Sequence, residues 1–475
     1  MIKKFGRYFL LFLAITIVYF GYQTYQKLVL ISGFYAKNTA SAIFLADRTL
    51  ESVANSDNNF APVNWANSSV DYENKSVLAD VWGLQQRKAY YREGLGAILA
   101  VGDNDGSQLK IRPKREQIND TLPYPYGSLE QEENIFDNVD YSKLSDVVTN
   151  YMNQNEPTNT TKAFLIIYKN QIIAEEYAEG YNRDTRFLGW SMTKSIMSSV
   201  FGVMEAQGRI HHNNPTGIVE WQNDDRSKIT NADLLEMNSG LEWEENYSKI
   251  CDATIMLYNQ EDMTVLPRSK SLTYQPQTHW YYSSGTSNIL AGIIRDQFTT
   301  HQEYLDYWYT DFIDRIGMNS MVVETDLAGN YAASSYAWAT ARDWARFGLL
   351  YLNEGNWNGD QVLTKEWIDY VRTPTPTSEG IYGGQFWMNA GGHLPDVPKD
   401  MYMAMGYQGQ RVYIIPSKEL VIVRLGVSYG KLKELRENHT LKIGSENPEI
   451  EKFEYKNIGP NKMLKSVFEC FILGV

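Results

Sequence analysis

Two pairs of short β-rich runs frame the C-terminal two thirds of the chain. Residues 162–168 (KAFLIIY) and 171–177 (QIIAEEY) flank a Lys169-Asn170 turn, and residues 410–416 (QRVYIIP) and 420–425 (LVIVRL) flank Ser417-Lys418. Each pair predicts a β-hairpin, the first in a sheet with one packed face. Because the pairs lie far apart in sequence, they must meet in space to share one sheet. Between them the apolar period changes from two to about 3.6. Ile196, Val200, Val203 and Met204 predict a helix starting at or near Ser191, and 304–316 and 339–352 are the clearest later helices. The fold class expected is α/β (α+β): an antiparallel sheet flanked by helices, with a mainly helical insert over about 205–400 inside a 141–475 domain. The amphipathic stretch 461–475 is expected to cover the sheet, while 431–460 is polar and weakly patterned.

The first 140 residues read differently. A basic leader with Lys3, Lys4 and Arg7 precedes an apolar run over 9–20, and Tyr19, Tyr22 and Tyr25 follow at an interfacial spacing. A small-x-small cleavage site comes only at Ala40-Ser41-Ala42, too late for a cleaved leader. Residues 1–30 are therefore expected to be a membrane signal-anchor, with a spanning helix over 6–24 and the body on the extracytoplasmic side. Residues 31–140 form an extension. Its stretches 40–53 and 87–101 carry helical and mixed patterns. Residues 102–141, rich in Asp, Asn, Pro and Glu, suggest a polar connector wrapped over the surface.

Composition narrows the partners. A net charge of −13 argues against nucleic acid. Cys251 and Cys470, far apart in the chain, suggest two buried free thiols rather than a disulfide framework. The adjacent His211 and His212 are expected to diverge, and the chain has no H-E-x-x-H pattern. Neither a metal nor a cofactor is expected.

The chemistry centres on Ser191-Met192-Thr193-Lys194. At S-x-x-K spacing the hydroxyl and the amine share one helical face. A serine needs a neighbour to take its proton, and a lysine serves if burial and the helix N-terminus lower its pKa. The tetrapeptide alone fits equally well a capping serine before a surface lysine. Two further pieces change that balance. In 280–290 (WYYSSGTSNIL), Tyr282 precedes a helix start, where a phenol with a lowered pKa would shuttle protons. In 406–413 (GYQGQRVY), a glycine-led strand could bring a second backbone N–H beside that of Ser191 as an oxyanion hole. Gly189-Trp190-Ser191-Met192-Thr193 also comes near the G-x-S-x-G elbow, but nothing around His279 or His393 supports an α/β-hydrolase.

These pieces, in this order, resemble the serine β-lactamase and penicillin-binding-protein superfamily. The resemblance is closest to its class C β-lactamase-like branch of esterases and 6-aminohexanoate-dimer hydrolases. Residues 233–243 (DLLEMNSGLEW) and 334–348 (SSYAWATARDWARFG) resemble two further segments of that branch. The resemblance implies Ser191 as acylated nucleophile, Lys194 as proton acceptor and Tyr282, with Tyr281 as the competing choice, as general base and then acid. It also implies an oxyanion hole from the N–H groups of Ser191 and Gln410. Ser284 and the Tyr407-Gln408-Gly409 run would contact substrate. Ser284 stands where the pattern has Asn, and Tyr407 stands where it often has Lys, which weakens the antibiotic reading. A small neutral or cationic ester or amide in an aromatic cleft is expected instead, with Trp190, Trp243, Tyr247, Trp280 and Tyr407 as candidate walls. The rival is a catalytically silent penicillin- or peptidoglycan-binding sensor on the same fold.

Overall fold

The computed structural model describes residues 2–116, 121–153, 159–247, 249–428 and 459–472. The expected hairpins form and meet. Strands β1 (Ala66–Asp71), β2 (Ser76–Val81), β3 (Leu84–Arg92) and β4 (Gly96–Leu99) make an N-terminal antiparallel sheet in sequence order. The first predicted hairpin is β5 (Asn159–Tyr168) and β6 (Gln171–Tyr177), joined through Lys169 and Asn170, both at positive φ, the geometry of a tight I′ turn. Then come β7 (Arg186–Leu188), β8 (Val322–Val323) and β9 (Ala337–Thr340), which pair as a small sheet in the order β7-β9-β8. The minor hairpin β10 (Asn356–Trp357) and β11 (Asp360–Gln361) precedes β12 (Trp387–Met388), β13 (Tyr402–Gly406), β14 (Gln410–Ile415) and β15 (Leu420–Ser428). The central sheet runs β12-β13-β14-β15-β5-β6, and β15 against β5 is the join between the two predicted hairpins.

Both faces of this sheet are covered, not one. In β5 the alternate residues Ala163, Leu165 and Ile167 enter the core with the helices Thr193–Ala206 and Ala341–Leu352. Phe164, Ile166 and Tyr168 face the other way, against Tyr141–Met152 and the C-terminal helix Gly459–Phe468. That last helix buries Met463, Leu464 and Val467, so it covers the sheet as its pattern suggested. Most of the stretch 431–460 lies outside the described residues. The 205–400 insert holds helices, but long loops and five of the short strands share it.

The N-terminal reading needs correction. Among the described residues no helix is long and apolar enough to cross a membrane, so the expected spanning helix finds no support. A single helix, Ile2–Phe44, runs straight through residue 30. Phe12, Ile15, Tyr19 and Tyr22 are exposed, whereas from Leu28 onward Ile31, Phe34, Tyr35, Ala36 and Ala40 are buried in a core shared with Trp190, Trp243 and Tyr258. The stretch 87–101, of helical and mixed pattern, forms most of the β3–β4 hairpin. Its Tyr90-Tyr91 run favours a strand, and Gly94 and Gly96, both at positive φ, supply the turn. The described part of 102–141 has no helix before Tyr141. It is clipped to the body by polar contacts, among them Arg115 paired to Asp314 at 2.7 Å. Cys251 and Cys470 are buried free thiols.

Candidate active site

Ser191 sits in a tight turn, Trp190–Met192, that leads directly into the helix Thr193–Ala206. Two glycines shape this entry. A Cβ on Gly189 would meet the Trp344 ring at 2.3 Å, and one on Gly406 would meet the Gly189 carbonyl oxygen at 2.0 Å. The end of β13 therefore lies directly against the nucleophile turn. Trp190 takes a left-handed φ of 49°, and its ring packs among Phe34, Tyr336 and Tyr407.

Lys194 is buried, which removes the surface-lysine reading. Its Nζ donates to Ser191 Oγ at 3.0 Å, to Ser284 Oγ at 3.0 Å and to the Ser334 carbonyl at 2.8 Å. Burial pulls its pKa down to about 8, against the opposing influence of the Glu245 charge. The Lys194 amine also lies 4.9 Å from the Tyr282 ring centroid. Ser191 acts on the Tyr282 phenol and not on that of Tyr281. The expected lowering of the Tyr282 pKa does not occur. Burial raises it, with Glu245 adding to the effect, and Ser191 and Arg411 oppose it only in part. In the resting site Tyr282 is therefore a neutral phenol, and Lys194 is the group tuned toward neutrality.

Several residues expected to touch substrate do other work. Ser284 is fully buried at the start of the helix Ser284–Arg295 and bridges Lys194 to Glu245, 2.6 Å from Glu245 Oε1. Trp243 is buried and donates its indole N–H to Glu245 at 2.7 Å. Gln408 is buried too: it accepts from Trp190 Nε1 at 3.1 Å and donates to the Asp57 carbonyl at 3.1 Å. Gly409, at a φ of 84°, turns β13 into β14. The Gln410 N–H donates to the Tyr407 carbonyl, so the second oxyanion donor is not preformed there. The Ser191 N–H, in the first turn, has no intrahelical acceptor. The Gln410 side chain clamps Gly426 through both its amide atoms, at 2.6 and 3.0 Å, where β15 bulges. Tyr407 is half-buried between Trp190, Phe60 and Tyr247. Tyr247, still partly exposed, donates to Glu245 at 2.8 Å, and Trp280 packs on Tyr382 and Trp387.

Three contributors escaped the sequence reading. Glu245 accepts four hydrogen bonds, from Trp243, Tyr247 and both the N–H and the Oγ of Ser284. The Ser334 carbonyl takes one Lys194 N–H, which gives segment 334–348 a role beyond packing. The N-terminal unit supplies the third. Phe34 stacks on Trp190 at 5.7 Å, Phe60 meets Tyr407 at 6.3 Å, and Asp57 ties Arg48 and Lys162 together at 2.7 and 2.9 Å. Burial alone would raise the Asp57 carboxyl, but Lys162 and Arg48 hold it far below the usual carboxylate range. No local pattern marks Glu245, and nothing in segment 31–60 announces a partner more than a hundred residues away.

His211 and His212 do not diverge. Their rings stack at 4.6 Å beside Glu205, which accepts from the His212 N–H at 2.7 Å and lies 2.8 Å from its Nδ1. Among the described residues these three bring metal-ligand-type atoms within 4.8 Å of one another. The Nδ1 of His211 already accepts the Asn213 N–H, and the arrangement pins the loop that follows the nucleophile helix.

The family model described as Beta-lactamase matches residues 157–442. This chain belongs to the β-lactamase family. The matched stretch starts just before β5 and takes in Ser191, Lys194, Tyr282 and the β13–β14 turn, while residues 1–156 lie outside it. A 6-aminohexanoate-dimer hydrolase of Paenarthrobacter ureafaciens is 23% identical over 295 residues, 56% of this chain and 72% of that protein. A solved Bacillus anthracis structure, described as a candidate 6-aminohexanoate-dimer hydrolase, aligns with a TM-score of 0.50 and 23% identity over 62% of this chain and 79% of its own. EstCE1, a hydrolase with promiscuous acyltransferase activity, aligns at 0.50 with 11% identity over 69% and 99%. These likenesses carry the fold, a mixed β-lactamase-type architecture.

Proposed function

We propose that this β-lactamase-family hydrolase cleaves a small ester or amide through an acyl-enzyme on Ser191. One observation carries the reading: the Lys194 amine lies 3.0 Å from Ser191 Oγ, buried and held by two further acceptors, with its pKa brought to about 8. A neutral Lys194 takes the Ser191 proton as Oγ attacks the carbonyl carbon. Tyr282, kept neutral by its raised pKa, donates its phenolic proton to the departing oxygen or nitrogen, then recovers a proton from the Lys194 ammonium beside its ring. Water repeats the sequence to release the acid. The Ser191 N–H at the helix start stabilises the oxyanion, and the second donor comes from the β13–β14 turn once the Gln410 N–H leaves Tyr407.

The partly exposed Tyr247 and half-buried Tyr407 support an aromatic wall, and Tyr407 in place of a lysine removes a partner for a β-lactam carboxylate. A short linear amide or ester follows, the substrate type named for the Paenarthrobacter relative being one candidate. Location outside the cytoplasm belongs to the same proposal, on the basic leader ahead of the apolar run; protease treatment of intact cells checks it.

Hydrolysis of p-nitrophenyl acetate by the full chain and by Ser191→Ala tests the reading, together with fluorophosphonate and fluorescent penicillin labelling. Loss of turnover and of the fluorophosphonate adduct in a folded Ser191→Ala supports it. Wild-type hydrolysis by that variant overturns it, and durable labelling by penicillin without turnover favours the sensor.

A further inference from the structure

As an ammonium, Lys194 has three N–H groups, and all three are engaged: by Ser191 Oγ, Ser284 Oγ and the Ser334 carbonyl. To act as a base it must lose one proton, and the acceptors are not equivalent. A carbonyl oxygen has no proton to pass on. Ser191 is the group whose proton must travel the opposite way. Ser284 Oγ remains, and its own hydroxyl donates to Glu245 Oε1 at 2.6 Å. Glu245 is buried, and its second oxygen is fixed by the Ser284 N–H at 2.6 Å and the Trp243 indole at 2.7 Å.

We propose that Ser284 and Glu245 form the proton exit of Lys194, with Glu245 a positioning residue that stores the proton while Lys194 works as the base; this rests on the Ser191–Lys194 hydrolase reading. The step balances without a co-reactant. An N–H bond of Lys194 breaks as an O–H bond forms on Ser284. The original Ser284 O–H bond breaks as one forms on Glu245 Oε1. Ammonium and carboxylate become amine and carboxylic acid, with no change in total charge, and the reverse transfer resets the site.

The same geometry accounts for Ser284 at a position where the resembling pattern carries Asn. A carboxamide would bond the lysine, but it has no hydroxyl to hand a proton on. Other titratable groups turned toward this carboxylate are the phenols of Tyr247, Tyr281, Tyr282 and Tyr382 and the thiol of Cys251. Burial raises the pKa of each, so none of them gains charge near neutral pH. Glu244 acts on Tyr281, and Arg411 acts on Tyr282 from β14.

The test is the pH–rate profile of the full chain with p-nitrophenyl acetate, for wild type, Ser191→Ala, Glu245→Gln and Ser284→Ala, with thermal melts to confirm folding. Glu245→Gln and Ser284→Ala should each lower kcat about 10²-fold with KM unchanged. The acid limb of Glu245→Gln should also move to lower pH, because the charge favouring the ammonium is gone. A wild-type kcat in either variant overturns the relay. So does a lower kcat in Glu245→Gln with an unmoved acid limb, which would leave Glu245 a structural role. If Glu245→Gln does not fold, Ser284→Ala, the loss of one oxygen, decides alone. Wild-type hydrolysis by Ser191→Ala would remove the hydrolase reading itself, and the relay with it. An inactive Ser191→Ala beside fully active relay variants would remove only the relay.

Discussion

Lys37 and Glu324 meet at 2.8 Å with neither side chain reaching water. Lys37 also donates to the Ala97 carbonyl, and Glu324 accepts from Ser41 at 2.6 Å and from the Ala97 N–H at 3.0 Å. One polar knot thus ties the N-terminal helix, β4 and the hydrolase body together. Lys37→Ala leaves the carboxylate buried and unpaired and should cost about 3–5 kcal/mol. The pair Lys37→Met with Glu324→Leu should recover much of that loss, because both desolvated charges go together. Urea unfolding of the single and double variants checks this; equal losses in both would refute the account.

The position of Lys194 fixes a pH dependence. Its conjugate amine is the active form, and the amine fraction grows as pH rises through about 8. kcat/KM should therefore climb about tenfold per pH unit below that value and level off above it. A flat profile between pH 6 and 9 would show that the amine does not form by proton loss to solvent, and would leave the internal transfer to Glu245 as its source.

Tyr282 should matter in proportion to how poor the leaving group is. p-Nitrophenolate departs without help, whereas an amine or alkoxide needs a proton. Tyr282→Phe should slow a p-nitrophenyl ester modestly and an alkyl ester or amide by about 10²–10⁴-fold. Comparing kcat for the two substrate types checks it, and equal losses on both would remove Tyr282 as the donor.

Gly406→Ala would place a methyl group 2.0 Å from the Gly189 carbonyl. Backbone cannot yield there as a flexible side chain would, so a loss of about 2–3 kcal/mol is expected, with reduced turnover as the nucleophile turn shifts. Thermal melting and the ester assay check both parts.

Truncation should have a sharp threshold. Leu28 is the first of the buried run and Phe34 stacks on Trp190. Removing residues 1–27 should leave the melting temperature and kcat intact. Removing 1–60 should abolish soluble, active protein. Full activity of the shorter chain would show that the aromatic stack is dispensable.

The central sheet was legible in the sequence because alternation over β5, β6, β14 and β15 is a local signal. Its second covered face was not, since a strand buried on both sides and one buried on one side differ only in what arrives from elsewhere. Ser191, Lys194 and Tyr282 were singled out through spacing, order and the family resemblance, and the structure brings them together. The expected substrate contacts that are buried on other partners share one cause. Ser284, Trp190, Trp243 and Gln408 were placed on the substrate side by analogy of position. Their orientation depends on Glu245, Phe34 and Asp57, which carry no motif. The stretch 87–101 read as mixed for a different reason, as Gly94 and Gly96 supply a turn inside an otherwise continuous pattern.

The knot between Lys37 and Glu324 also sets an order of events. The two residues are 287 positions apart. At a synthesis rate of about 5–20 residues per second, the N-terminal helix waits roughly 15–60 s on the ribosome before its carboxylate partner exists. For the first part of that interval, until residue 190 is made, Phe34 has no Trp190 to stack on, and an apolar helix face carrying Lys37 stands exposed. The N-terminal helix is therefore completed only after Glu324 is made.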